Sequence, residues 1–287
     1  MFNSDQGRDL ISPEDYSSLL AASPYVPFLE PLPFEMRAKV FEMVKSENIE
    51  YRYINGSCED RAHFLCLLLR KEGIFTGKIW NFAPARFSLL SDELFNIPDP
   101  FGISETTNWG YHVAPYFTAY NEEGAVETLV IDQSFNPEGL ILQEEWLERM
   151  NCPKSLYLLT DVDCYLFNSL DGFLEENTEK PLGQYYPPTY LPSIITGNFW
   201  YLNVGDDYVQ RGLAINDLAL RIHEGKGSFD NKEWVFLEQL LTNFDWLVNY
   251  TFLPKPVDLS NKTNDALMQF YNERYIHWSN RLWELFN

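Results

Sequence analysis

Cys58 stands where the turn Asn55-Gly56-Ser57 runs into Glu59-Asp60-Arg61-Ala62-His63, so that it occupies the first position of an expected helix. Unpaired backbone N–H groups and the positive end of the helix dipole stabilise a negative sulfur there, which favours a nucleophile over an inert buried thiol. Glu59 and Asp60 suit the dipole but oppose a thiolate, and a cation from elsewhere, most usefully an imidazolium, has to compensate. His63 is nearest in sequence, yet five residues along a helix it is rotated by about 140° from Cys58 and reads as a structural residue packed under the helix. His112, in the strand-like run Asn108-Trp109-Gly110-Tyr111-His112-Val113-Ala114-Pro115, is the better partner. Asp132 ends a second such run, Glu127-Thr128-Leu129-Val130-Ile131-Asp132. Cys58, His112 and Asp132 together are the parts of a thiol acyl-transfer machine. The thiolate attacks a carbonyl carbon, the imidazole protonates the leaving amine and then activates water, and the carboxylate holds the imidazole in its useful tautomer.

The elements that must position these residues are a helix and a hairpin. The helix carries an apolar face of Ala62, Leu65, Cys66, Leu68 and Leu69, ends on Arg70 and Lys71, and is followed by Gly73. The two strands flank the turn signal Asn121-Glu122-Glu123-Gly124. An odd connection centred on Glu122 would set His112 directly opposite Asp132, with Cβ atoms about 4.5–5.5 Å apart. The Cys58 backbone N–H, with the Asn55 side chain as a second donor, is placed to receive an oxyanion. Trp109 and Tyr111, beside His112, suggest a narrow aromatic-lined approach that admits a side-chain amide and excludes main chain.

Three blocks carry a resemblance: Cys58-x-x-Arg61-Ala62-His63, then Trp109-x-Tyr111-His112-Val113-Ala114, then Val130-Ile131-Asp132-x-Ser134 with Trp146 beyond. Over about residues 50–150 the chain resembles the bacterial protein-glutaminase family, which deamidates glutamine side chains in proteins and peptides. That family shares a core with transglutaminases and papain-like cysteine proteases. The resemblance implies an α+β fold with a papain/transglutaminase-like core, an antiparallel sheet and a nucleophile-bearing helix. It also implies Cys58 as nucleophile, His112 as general acid/base, Asp132 as the orienting residue, and a protein or peptide containing glutamine as substrate. Gln133 stands where the family commonly has proline, and an insertion over 82–107 is expected to border the cleft. With the same triad, a transglutaminase would resolve the thioester with an amine and a protease would attack the peptide bond. A non-catalytic binding module is the reading from a different class.

The chain has 287 residues, 45% of them hydrophobic, enough for a substantial core in one large or two smaller domains. A net charge of −21 argues against nucleic acid or an anionic membrane as partner and weakly favours basic substrates. The four cysteines and four histidines show no metal-ligand spacing, so no metal or other cofactor is expected. No signal peptide and no membrane-spanning apolar run is legible, which fits a cytoplasmic protein as written; a trimmed secreted form or a non-classically exported effector would look the same. The expected organisation is an N-terminal segment over 1–30, a catalytic domain over 31–174, a proline-rich linker over 175–196, and a mainly helical accessory region over 197–287. In that last region Trp234, Leu237, Leu240, Leu241 and Phe244 recur at helical spacing, as do Leu267, Phe270, Tyr271, Tyr275 and Trp278.

Overall fold

A computed structural model describes residues 27–88, 91–167, 199, 200, 202, 207–252 and 255–286. At its centre lies a five-stranded antiparallel sheet, ordered β6 (Ile141–Leu142), β5 (Val126–Val130), β4 (Tyr111–Tyr120), β1 (Gly77–Phe82) and β7 (Leu156–Thr160). The insertion is a separate two-stranded ribbon, β2 (Phe95–Pro98) with β3 (Thr106–Trp109). The aromatic run 108–117 is therefore not one strand. It breaks at Gly110, whose backbone lies so close to the Arg86 guanidinium that a Cβ there would collide with it. A further pair, β8 (Leu166–Phe167) with β9 (Phe199–Trp200), completes the strands among the described residues.

The hairpin forms, but in a different register from the expected one. Tyr120 pairs with Val126 across a five-residue connection centred on Glu123, because the Asn121 side chain accepts the N–H groups of Glu123 and Ala125 and so shapes a longer loop. The register moves by two residues, placing position 134 rather than Asp132 across from His112. The chain has left β5 by then, and Asp132 reaches back from the bend that follows. A shift of two keeps each side chain on its face, so the His112–Asp132 pairing survives an incorrect register.

Helix α1 (Met36–Ser46) buries Val40, Phe41 and Val44, as its spacing predicts. Helix α2 (Cys58–Lys71) buries every residue from Asp60 to Leu69, more than one apolar face. The reason is its position: it lies between β4 on one side and α4 (Tyr208–Glu224) and α7 (Asn261–Phe286) on the other. The short α3 (Gln143–Arg149) follows β6, and α5 (Asn231–Leu241) and α6 (Phe244–Phe252) connect α4 to α7. The expected stripe from Trp234 to Phe244 thus spans two helices.

The expected N-terminal segment lies outside the described residues up to position 26, and the expected linker 175–196 lies outside them entirely. Residues on either side of that linker share one hydrophobic core. Phe64, Leu65 and Leu69 of α2, Phe117 and Leu129 of the sheet, Leu213, Leu218 and Ile222 of α4, and Trp278 of α7 belong to a single cluster. Phe64 and Trp278 meet edge to face at 5.3 Å, and Arg281 of α7 pairs with Glu47 just after α1. Among the described residues, no helix is long and apolar enough to cross a membrane.

Candidate active site

Helix α2 begins at Cys58, but its cap is unusual. Ser57 takes a left-handed conformation, φ 67° and ψ 21°, and its hydroxyl does not bond a helix N–H. A non-glycine residue held in this way stores on the order of 1–3 kcal/mol, and the surroundings must over-determine it. Here they do. The Ser57 hydroxyl donates to Asp60 Oδ2 at 2.7 Å, the Tyr165 hydroxyl donates to Asp60 Oδ1, and Gly212 of α4 packs so tightly that a Cβ would overlap the Asp60 carboxyl. Burial, helped by Glu59, pushes the Asp60 carboxyl up to about 8 despite the hydrogen bonds from Tyr165 and Ser57. Burial thus makes the Asp60 carboxyl harder to ionise than an ordinary one, and Glu59 is the first-turn acid whose charge opposes a thiolate at Cys58.

The Cys58 side chain is half-buried against the cluster of Trp80, Phe82 and Val113. Its thiol donates to Glu59 Oε2 at 3.3 Å. Loss of water around the sulfur and the Glu59 carboxylate outweigh the nearby Arg61 and the Val113 backbone, raising the thiol well above its ordinary value. This corrects the expectation of a lowered value. The helix-start argument is local, whereas the sheet that desolvates the sulfur is distant in sequence. Removal of the thiol proton is correspondingly harder here than at an open helix start.

His112 is buried in an aromatic cage. Its ring stacks on Trp109 at 4.4 Å and on Trp146 at 5.6 Å, and Phe135 meets it edge-on at 5.6 Å. The His112 Nε2–H donates to Asp132 Oδ2 at 2.7 Å. Asp132 also accepts the Trp146 indole N–H at 2.8 Å and the Ser134 backbone N–H at 3.0 Å. Burial alone would raise the Asp132 carboxyl; the His112 ring, the Trp146 N–H and Arg61 outweigh it and hold it below its ordinary value. A carboxylate only accepts, so the proton sits on Nε2 and Nδ1 is left as the basic nitrogen. His63 stands elsewhere, its Nδ1 accepting from the buried Lys78 ammonium at 2.9 Å. Lys78 also donates to the Cys164 carbonyl at 2.7 Å. Burial and that ammonium keep His63 well below its ordinary value, in line with a structural role.

Cys58 and His112 open onto one cavity of about 470 Å³, and Cys58, His112 and Asp132 together border a void of about 10 Å³ beneath it. Asn55, Trp109 and Tyr111 all line the larger cavity. Their contacts refine what each can do. The Asn55 amide N–H donates to the Leu241 carbonyl at 2.9 Å and its oxygen accepts from Thr107 at 2.9 Å, so its side chain braces the wall. Trp109 is pinned by its indole N–H to the Ile54 carbonyl at 2.7 Å, and its ring fixes the imidazole plane. Ser104, Thr106 and Thr107 place the insertion at the cleft, as expected. Sequence reasoning missed the stacking of Trp146 and Phe135 on His112, and the contribution of residues 242–245 to the cavity. Among the described residues, no group of three or more His, Cys, Asp or Glu is arranged to hold a metal ion.

A family model described as "Glutaminase" matches residues 35–150, a segment that contains Cys58, His112, Asp132 and Trp146. No curated protein matches the chain. Solved structures are similar as well, among them the following three. One is a crystal structure of protein-glutaminase, at 17% identity and TM-score 0.42, covering 66% of this chain and 89% of that one. The second is the NMR structure of protein-glutaminase from Chryseobacterium proteolyticum, at 16% and 0.44, covering 68% and 91%. The third, a mutant of pro-protein-glutaminase, stands at 17% and 0.43, covering 72% and 67%. Helices α4 to α7 lie beyond the matched segment.

The Cys58–Glu59 contact makes a measurable prediction. Alkylation follows the thiolate fraction, so with the thiol raised, labelling of Cys58 by iodoacetamide should be slow at neutral pH and climb as pH rises. Glu59→Gln removes the opposing charge and should move that profile to lower pH. Cys58 should still label ahead of Cys66, Cys152 and Cys164, which are buried. An unchanged profile in Glu59→Gln would show that the carboxylate does not restrain the sulfur.

Proposed function

We propose that the chain is a thiol-dependent amidohydrolase that converts protein- or peptide-bound glutamine to glutamate and ammonia, on a papain/transglutaminase-like core. The observation that carries this reading is the 2.7 Å contact of His112 Nε2 with Asp132 Oδ2, in which the carboxylate accepts the Nε2–H and leaves Nδ1 free as base in the cavity that Cys58 lines. His112 Nδ1 accepts the thiol proton as the sulfur attacks the γ-carboxamide carbon. The Cys58 backbone N–H, in a helical first turn that has no intrahelical acceptor, receives the developing oxyanion. The imidazolium returns its proton to the departing ammonia, leaving a γ-glutamyl thioester. His112 then deprotonates a water that attacks the thioester, and the proton goes back to sulfur as the carboxylic acid is released. Asp132, kept ionised, stabilises the imidazolium in both halves of the cycle.

Glutamine side chains are favoured over main-chain amides by the shape of the site. Cys58 is half-buried at a polar cavity flanked by Trp109, Tyr111 and Phe244, which suits a projecting side chain better than an extended backbone. Mass spectrometry of glutamine-containing peptides incubated with the protein and a primary amine tests the reaction. The expected product gains the mass of a glutamine-to-glutamate change, with one ammonia released and the backbone intact. Cleaved backbone would make the protein a protease, incorporated amine a transglutaminase, and no change across a broad panel a binding module.

A further inference from the structure

The turn between α5 and α6 lies outside the matched segment, yet Thr242, Asn243, Phe244 and Asp245 form one side of the Cys58 cavity. The turn is bolted to the loop that presents the nucleophile. Asn55 donates to the Leu241 carbonyl at 2.9 Å, and the Phe244 ring covers Gly56 so closely that a Cβ there would stand 2.5 Å from Phe244 Cγ. The turn also holds its own shape. Asn243 Oδ1 accepts the N–H groups of Asp245 at 2.8 Å and Trp246 at 3.3 Å, which starts α6, and the Thr242 hydroxyl closes α5 onto the Gln239 carbonyl at 2.7 Å.

We propose that this turn is the specificity wall of the site: Asp245 selects a cationic residue beside the target glutamine, and Phe244, acting through Gly56, positions the loop that carries Cys58. The proposal rests on the deamidase reading for its substrate class. A glutamine side chain that reaches Cys58 leaves its flanking residues at the cavity rim, where Asp245 is exposed. Glu59 adds a second carboxylate to the same lining. Of the two arginines there, Arg61 is buried, donating to the Tyr53 carbonyl at 3.3 Å with its guanidinium 5.5 Å from the Tyr51 ring centre. The Arg86 guanidinium lies against the Gly110 backbone on the β4 side. The field of a chain with net charge −21 draws cationic peptides toward the cavity, and a fixed carboxylate on its wall converts that attraction into a choice.

The test compares matched peptides with lysine or glutamate next to the glutamine, in the full chain and in Asp245→Asn and Asp245→Lys. The lysine peptide is expected to lead in kcat/KM by about tenfold at low salt, and Asp245→Lys to lower that ratio by about tenfold or more. A ratio unchanged within about twofold would overturn the specificity role. A second readout needs no deamidation: the rate of Cys58 alkylation by anionic iodoacetate relative to neutral iodoacetamide should rise by about threefold or more in Asp245→Lys. If that ratio moves while no peptide releases ammonia, the wall stands and the deamidase reading fails; if neither ratio moves, the wall falls. For positioning, Gly56→Ala should slow both kcat and iodoacetamide labelling, and adding Phe244→Ala to it should recover both by making room for the new methyl. A double variant no faster than Gly56→Ala, with an unchanged melting temperature, would overturn the link from Phe244 through Gly56.

Discussion

Cys58→Ala and His112→Ala should each reduce ammonia release by at least about a thousandfold, whereas Asp132→Asn should leave a measurable remainder of turnover. In the proposed mechanism Cys58 and His112 make and break bonds, while Asp132 acts by fixing a tautomer and stabilising a charge. An asparagine oxygen can still accept the Nε2–H, but it brings no negative charge to the imidazolium, and a loss of about 10²–10⁴ is the expected range. His63→Ala is the discriminating control. It strands the fully buried Lys78 ammonium without its imidazole acceptor, so it should lower thermal stability yet leave kcat of the folded fraction nearly intact. Activity that survives His112→Ala and disappears in His63→Ala would reverse the assignment of the two histidines.

A chain ending at residue 188 should fail to fold, although every proposed catalytic residue would remain in it. Truncation there removes Leu213, Ile215, Leu218 and Ile222 of α4 and Trp278 of α7, all within 1% of full burial and in the core that also holds Phe64, Leu65 and Leu69 of α2. At roughly 1.5–3 kcal/mol for each fully buried large apolar side chain, these five alone match or exceed the ~5–15 kcal/mol by which a typical domain is stable. The cut also uncovers Asp60, which Gly212 roofs, and removes the Leu241 carbonyl that Asn55 grips. Near-ultraviolet circular dichroism, thermal melting and Cys58 labelling of the truncated chain provide the measurement. A cooperative melt together with selective Cys58 labelling would show that the first 188 residues stand alone, as a catalytic domain followed by an accessory region would require.

The sequence by itself located Cys58 at a helix start and the two strands that bring a histidine and an aspartate together. These follow from rules that act over one helical turn or one hairpin: capping composition, side-chain period and turn residues. Even the incorrect register did little harm, because a two-residue slip preserves the face on which His112 and Asp132 meet. The tertiary structure decided the rest. Cys58 lies among the desolvating side chains of the sheet, burial raises the Asp60 carboxyl where Gly212 of α4 covers it, and His112 is clamped by Trp146 from beyond the hairpin. The cavity wall comes from residues 242–245, tied to Asn55 by a hydrogen bond that spans 186 positions of chain. Desolvation and through-space charge depend on which distant segments pack together. No local pattern around Cys58 encodes that the sheet packs against its sulfur, that α4 covers Asp60, or that the α5–α6 turn walls the cavity.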